Sequence, residues 1–190
     1  VVIEHPKTTS DDVISPVALL KVKQPTESLI LEALKQSKEA VHELKPSFVL
    51  KDGKELEALV QLNGLMLKHI PLKDKTEQLC QLAFQSNPMC FPSIPKKFQT
   101  QAMCEEALRV SAEFFGYIDL PFRTPEMCLK AYDEIDEKKR KDFLKKTIDE
   151  AGYLKILEVH PLALKSIPLK KRTKTLCDFA FQSYPSAELF

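Results

Sequence analysis

The sequence predicts an all-α fold of tandem helix-turn-helix repeats of about 24 residues, stacked as an α-solenoid or a compact superhelical bundle. Three observations predict it. Cys80, Cys104 and Cys128 stand 24 residues apart, as do Thr76, Thr100 and Thr124, and Ile70, Ile94 and Ile118. Apolar residues fall three, four, seven and eight positions after each Thr, which is one face of an α-helix. The 190 residues hold thirteen prolines and only four glycines, a balance that suits short helices punctuated by Pro over hairpins and Gly-rich phosphate loops.

In chain order, residues 1–12 read as an extended segment and 13–190 as a repeat domain of about seven units. Thr26 with Leu29, Ile30, Ala33 and Leu34 forms an early unit at a looser spacing, and Asp52 with Leu56, Leu59 and Val60 forms the next. The clearest copies are KHIPLKDKTEQLCQLAFQSNP and KSIPLKKRTKTLCDFAFQSYP, the latter carrying Ile167, Thr173 and Cys177. Asp149 with Tyr153, Ile156 and Leu157 fills the gap between Cys128 and Cys177. The Thr or Asp is a preferred N-cap, Glu77 suits the first turn, and Pro125 occupies the favoured first helical position. Each unit therefore predicts a helix of about ten to twelve residues from its cap, preceded by a shorter helix such as Pro88 to Ile94 or Pro161 to Ile167. The run DEIDEKKRKDFLKK breaks the pattern; it reads as a solvated helix face, with the array bending or dividing into two lobes near 133–148.

A formal net charge of +1 with 44% apolar and 29% charged residues excludes wholesale disorder and predicts no partner class. No apolar run approaches the roughly 18 residues of a membrane span, and VVIEHPKTTSDD lacks the layout of a signal peptide. The first residue is Val and YPSAELF begins another short helix, so the chain is expected to be a fragment of a longer protein.

Four of the five cysteines, Cys80, Cys104, Cys128 and Cys177, share one repeat position, and the 8–10 Å between packed helices is too far for a disulfide or a shared zinc ion. Buried packing explains them, no metal is expected, and free thiols suit a reducing compartment. None of His5, His42, His69 and His160 has metal-ligand spacing, and His69 reads as a polar residue near a helix C-terminus. With no nucleophile elbow, P-loop or dinucleotide motif, no catalytic residue is assigned.

The most informative constellation is the loop before each cap. Lys73 and Lys75, Lys96 and Lys97, Arg123, and Lys170, Lys171 and Arg172 all lie within four residues of a capping Thr. Units stacked in register would collect these side chains along one edge beside helix N-termini, an anion site for phosphate, an acidic peptide or a nucleotide. Arg123 and Arg172 lead, because a guanidinium holds a phosphate or carboxylate bidentately. Near that edge Phe98, Phe115, Tyr117 and Phe122 offer surfaces for stacking on a base, with core packing as the plainer role. A pI near 7.7 argues against nucleic acid as the partner.

The unit resembles the short helical repeats found in large secreted effectors of Legionella and in some related intracellular bacteria and giant viruses. PMCFPSIPKKFQTQAMCEEAL and PLALKSIPLKKRTKTLCDFAF carry the resemblance, which covers residues 64–132 and 160–185. Ile118-Asp119 departs from the Ile-Pro pattern. A narrower resemblance is to the KLAMP domain of such effectors, helical and associated with adenine-nucleotide binding. The resemblance implies delivery by a type IV system into a host cytosol. The leading expectation is a non-catalytic binding module engaging a host protein, with no cofactor. The alternative is a site for an adenine nucleotide or another small phosphorylated ligand. An enzyme of another type would need a strongly perturbed acid or His inside a pocket.

Overall fold

The computed structural model describes residues 20, 25–45, 47–50, 55–145 and 148–185. The extended segment expected at 1–12 and the expected cap Asp52 lie outside them. Among the described residues all regular structure is helical. The chain divides into two compact units, Val1–Cys90 and Phe91–Phe190.

The first unit contains α1 (Glu27–Gln36), α2 (Leu56–Leu62) and α3 (Glu77–Ser86). The second contains α4 (Gln101–Val110), α5 (Pro125–Glu134), α6 (Glu137–Lys145), α7 (Glu150–Val159) and α8 (Lys174–Ser183). Within each unit the long helices pack on their neighbours: α1 on α2 and α2 on α3 in the first, α5 on α7 and α7 on α8 in the second.

Most of the long helices begin with the same chemistry. A capping side chain accepts from the backbone N–H three residues on: Thr26 from Leu29, Thr76 from Leu79, Thr100 from Met103, Thr124 from Met127, Asp149 from Gly152 and Thr173 from Leu176. Each bond satisfies a donor that a helix start leaves free and contributes about 1 kcal/mol. The residues at seven and eight after the cap enter the core: Ala33 and Leu34, Ala83 and Phe84, Ala107 and Leu108, Ala131 and Tyr132, Ile156 and Leu157 are buried, as are Leu59 and Val60 on α2, whereas after Thr173 Ala180 is buried and Phe181 is exposed. Two helices start differently: α6, treated below, and α2, which begins at Leu56, three residues late in the frame set by Asp52, with no side-chain cap from Glu55.

The second, shorter helix is 3-10, six residues long, at Lys38–Glu43, Gly64–His69, Pro88–Ser93, Ala112–Tyr117 and Pro161–Ser166. At three of these junctions one extended residue joins it to the long helix and serves both. The N–H of Asn63, Asn87 and Ser111 closes the helix behind on Leu59, Ala83 and Ala107, while the side chain accepts from Leu65, Met89 and Glu113 in the helix ahead. Asn and Ser suit this post because their short polar side chains bond locally to the backbone.

The basic loops are themselves ordered, as three-residue 3-10 turns at Leu72–Asp74, Lys96–Phe98, Leu120–Phe122 and Leu169–Lys171. Pro71, Pro95 and Pro168 open three of them, each after a buried Ile, and Ile70 and Ile167 have the extended backbone that a following Pro favours. Asp119 opens the fourth with nearly the same backbone, φ −71° and ψ 149°, which is why the missing Pro leaves the unit intact.

The charged run forms α6 in place of the six-residue turn. Ile135 ends α5, Asp136 accepts from the Lys138 N–H, and Phe143 and Leu144 are buried. These apolar contacts make α6 part of the core of the second unit; the division of the chain falls between Cys90 and Phe91, outside the 133–148 segment. All five cysteines are free thiols, four of them buried, and burial pushes the Cys90, Cys104 and Cys128 thiols up to about 12.

Candidate functional site

The residues of the basic edge are occupied in holding the turns. Arg123 donates from Nε and Nη2 to the Ile118 carbonyl at 3.0 and 2.8 Å, with its guanidinium 4.8 Å from the Phe115 ring centre. Arg172 donates to the carbonyls of Ile167 and Lys165, both at 2.9 Å. Gln99 holds the same repeat position and donates to the Tyr117 carbonyl at 2.9 Å while accepting from the Asp119 N–H at 2.8 Å. A long polar side chain just before the cap thus seals carbonyls left over where a 3-10 helix ends. Lys96 pairs with Asp119 at 3.2 Å, Lys97 lies 4.5 Å from the centre of the half-buried Phe98 ring, and Lys171 donates to the Tyr153 hydroxyl at 3.2 Å. Lys170 is exposed.

Arg123→Ala is expected to lower the stability of the second unit by about 1–2 kcal/mol, with Arg123→Lys recovering only part, because an ammonium cannot reproduce the fork. Urea denaturation of the two variants checks it.

The second unit has a cleft elsewhere, between the 112–117 turn and α6, with a volume of about 490 Å³. Ile135 and Phe143 form its apolar floor, Gly116 and Tyr117 one wall, and Glu113, Lys139 and Asp142 its charged lining. Phe143 is fixed from below by Phe115 and Tyr132, with ring centres 5.0 and 6.2 Å away. Tyr117 is 50% exposed and meets Phe114 edge-on. Lys139 bridges to Glu113 at 2.6 Å, which raises its pKa above the ordinary lysine value, and Asp142 pairs with Lys145, which lowers its own.

Searches of protein-family models, curated protein sequences and solved structures return no match for this chain.

Of the residues singled out by the sequence, only Tyr117 lines the cleft; Lys96, Lys97, Phe98, Arg123, Lys170, Lys171 and Arg172 do not. Ile135, Lys139, Asp142 and Phe143 sit in or beside the charged run read as a solvated face. The available signal was the pair Phe143-Leu144, eight and nine residues after Ile135, apolar positions that a fully solvated helix has no use for. A polar pair, His160 with Asp133, ties the end of α7 to α5, the imidazole against the Tyr132 ring.

Proposed function

We propose that the chain is a non-catalytic helical-repeat binding module of a secreted bacterial effector, and that the cleft beside α6 receives side chains of a host protein. The observation that carries this reading is the make-up of the cleft: an apolar floor of Ile135 and Phe143, a half-exposed aromatic at Tyr117, and a lining of alternating charge. That is the composition of a protein interface, apolar at its centre, polar at its rim, with an aromatic anchor. The reading for an adenine nucleotide or another phosphorylated ligand has less support, because a phosphate site needs convergent basic groups. Here Lys139 is the only cation among the described lining residues, it is already bonded to Glu113, and Asp142 also lines the cleft.

A photo-crosslinking residue at position 117, compared with one at the exposed Lys174 on α8, tests the proposal in host-cell extract. One protein captured from position 117 and lost on Lys139→Glu is the expected result; equal capture from both positions overturns it. A panel of adenine nucleotides tests the alternative, since ligand at 100 times its Kd adds about 2.7 kcal/mol of stability. A thermal shift abolished by Tyr117→Ala would replace the protein-partner reading with the nucleotide one.

A further inference from the structure

We propose that His69 is an acid-sensitive latch of the first unit, whose protonation releases residues 48–50 from the 3-10 helix Gly64–His69. His69 is 0% exposed, and both its backbone and its ring hold the same short segment. Its Nδ1 lies 2.9 Å from the Phe48 carbonyl oxygen, and its own carbonyl accepts from the Leu50 N–H at 2.9 Å. The Phe48 ring packs against the imidazole with centres 5.8 Å apart, and Leu50 is buried behind it.

A carbonyl only accepts, so Nδ1 carries the hydrogen and the neutral ring presents a bare lone pair at Nε2. That atom is buried and has no hydrogen-bond partner among the described residues. A proton added there brings a positive charge and a new donor into a site without an acceptor, and both are costly in an apolar interior. The other two described histidines are arranged the opposite way, each with a carboxylate at its ring: His42 beside Glu39 and His160 beside Asp133. Among the described histidines, only His69 has no carboxylate paired with its ring.

The elements packed against this helix are α2 and α3, together with the 48–50 segment that the ring holds. Their titratable groups are Glu55 and Glu57 at and on α2, and Glu77 and the Cys80 thiol on α3; Lys68 precedes the ring. Of these, Lys68 acts on the imidazole, and it repels a second positive charge. Burial is the larger cause and acts in the same direction, outweighing the bond to Phe48, so the folded imidazole protonates below the ordinary histidine value of about 6.5. The closed state is therefore fully stable above that value. As pH falls below it, the released ring binds a proton that the closed ring excludes, and the opening equilibrium rises about tenfold per pH unit until the folded ring also titrates.

The test uses the full chain. In ring-nitrogen NMR, His69 is expected to show the Nδ1–H neutral tautomer and to titrate below the ordinary histidine value; the other tautomer, or an ordinary titration, overturns the proposal. His69→Gln keeps a donor for the Phe48 carbonyl and cannot take the charge. Between pH 7 and pH 5.5, hydrogen exchange at the Leu50 amide, corrected for the intrinsic rate, should accelerate in the natural protein by up to about tenfold per pH unit more than in His69→Gln. Equal pH dependence in the two proteins overturns the latch. If His69→Gln does not fold, the tautomer and titration of the natural protein decide.

Discussion

Gly64→Ala is expected to destabilise the first unit by more than about 3 kcal/mol, the upper end of what overpacking costs. A Cβ at Gly64 would lie 2.0 Å from the Ala83 carbonyl oxygen, 2.9 Å from the Ala83 carbonyl carbon and 3.0 Å from the Asn87 nitrogen. All three are backbone atoms at the end of α3, so no side chain can rotate away and the 64–69 helix must move as a body. Movement would also disturb the polar ladder beside it. Asn63 Nδ2 donates to the Lys38 carbonyl at 2.8 Å, its Oδ1 accepts from the Leu65 N–H, and Asn87 Nδ2 reaches the same oxygen at 3.5 Å. Chemical denaturation measures the loss; a variant within about 1 kcal/mol of the natural protein would mean that α3 and the 64–69 helix separate more easily than this contact implies.

Gly152→Ala is the second large effect and carries an internal control. In an exposed helix the change would add about 1 kcal/mol of propensity. Here the new Cβ would lie 2.7 Å from Cys128 Sγ, 2.8 Å from Ile148 Cγ2 and 3.1 Å from Asp149 Oδ1, the capping oxygen of α7. A net loss of about 2–3 kcal/mol in the second unit is expected, since the sulfur is buried and the cap bond is strained with it. Cys128→Ala removes the sulfur and by itself costs about 1 kcal/mol for the void. The double variant should be more stable than the sum of the single losses by about 1 kcal/mol, because the methyl enters the space the sulfur left. Strict additivity would show that the two side chains do not share that space.

Caps and core were legible in the sequence because both are short-range patterns: Thr76, Thr100, Thr124, Asp149 and Thr173 start helices, and the apolar positions counted from the first four are buried, whereas after Thr173 Leu176 and Ala180 are buried and Phe181 is exposed. The start of α2 was less so, since Glu55 offers no cap bond and Leu56 alone does not mark a boundary. The roles of the basic residues were hidden for a different reason. Arg123 and Arg172 look the same in sequence whether their forks face a ligand or a carbonyl, and only the backbone path shows that Ile118 and Ile167 present carbonyls within reach. His69 was read as a polar residue near a helix C-terminus, which it is, but its burial was hidden similarly: Phe48, whose carbonyl and ring meet it, is 21 positions away in a stretch with no repeat signature. The cleft depends on α6 replacing a six-residue turn, a change of element that charge content concealed.

The single-residue junctions at Asn63, Asn87 and Ser111 also give the fold a reading frame. One residue inserted there would turn every later side chain of its helix by about 100°, swapping the apolar face for the polar one. Changes in chain length are therefore confined to where a junction is built differently. Thr124 to Asp149 is such a place: the step is 25 residues, and α6 takes up the difference while returning the chain to frame at the cap of α7.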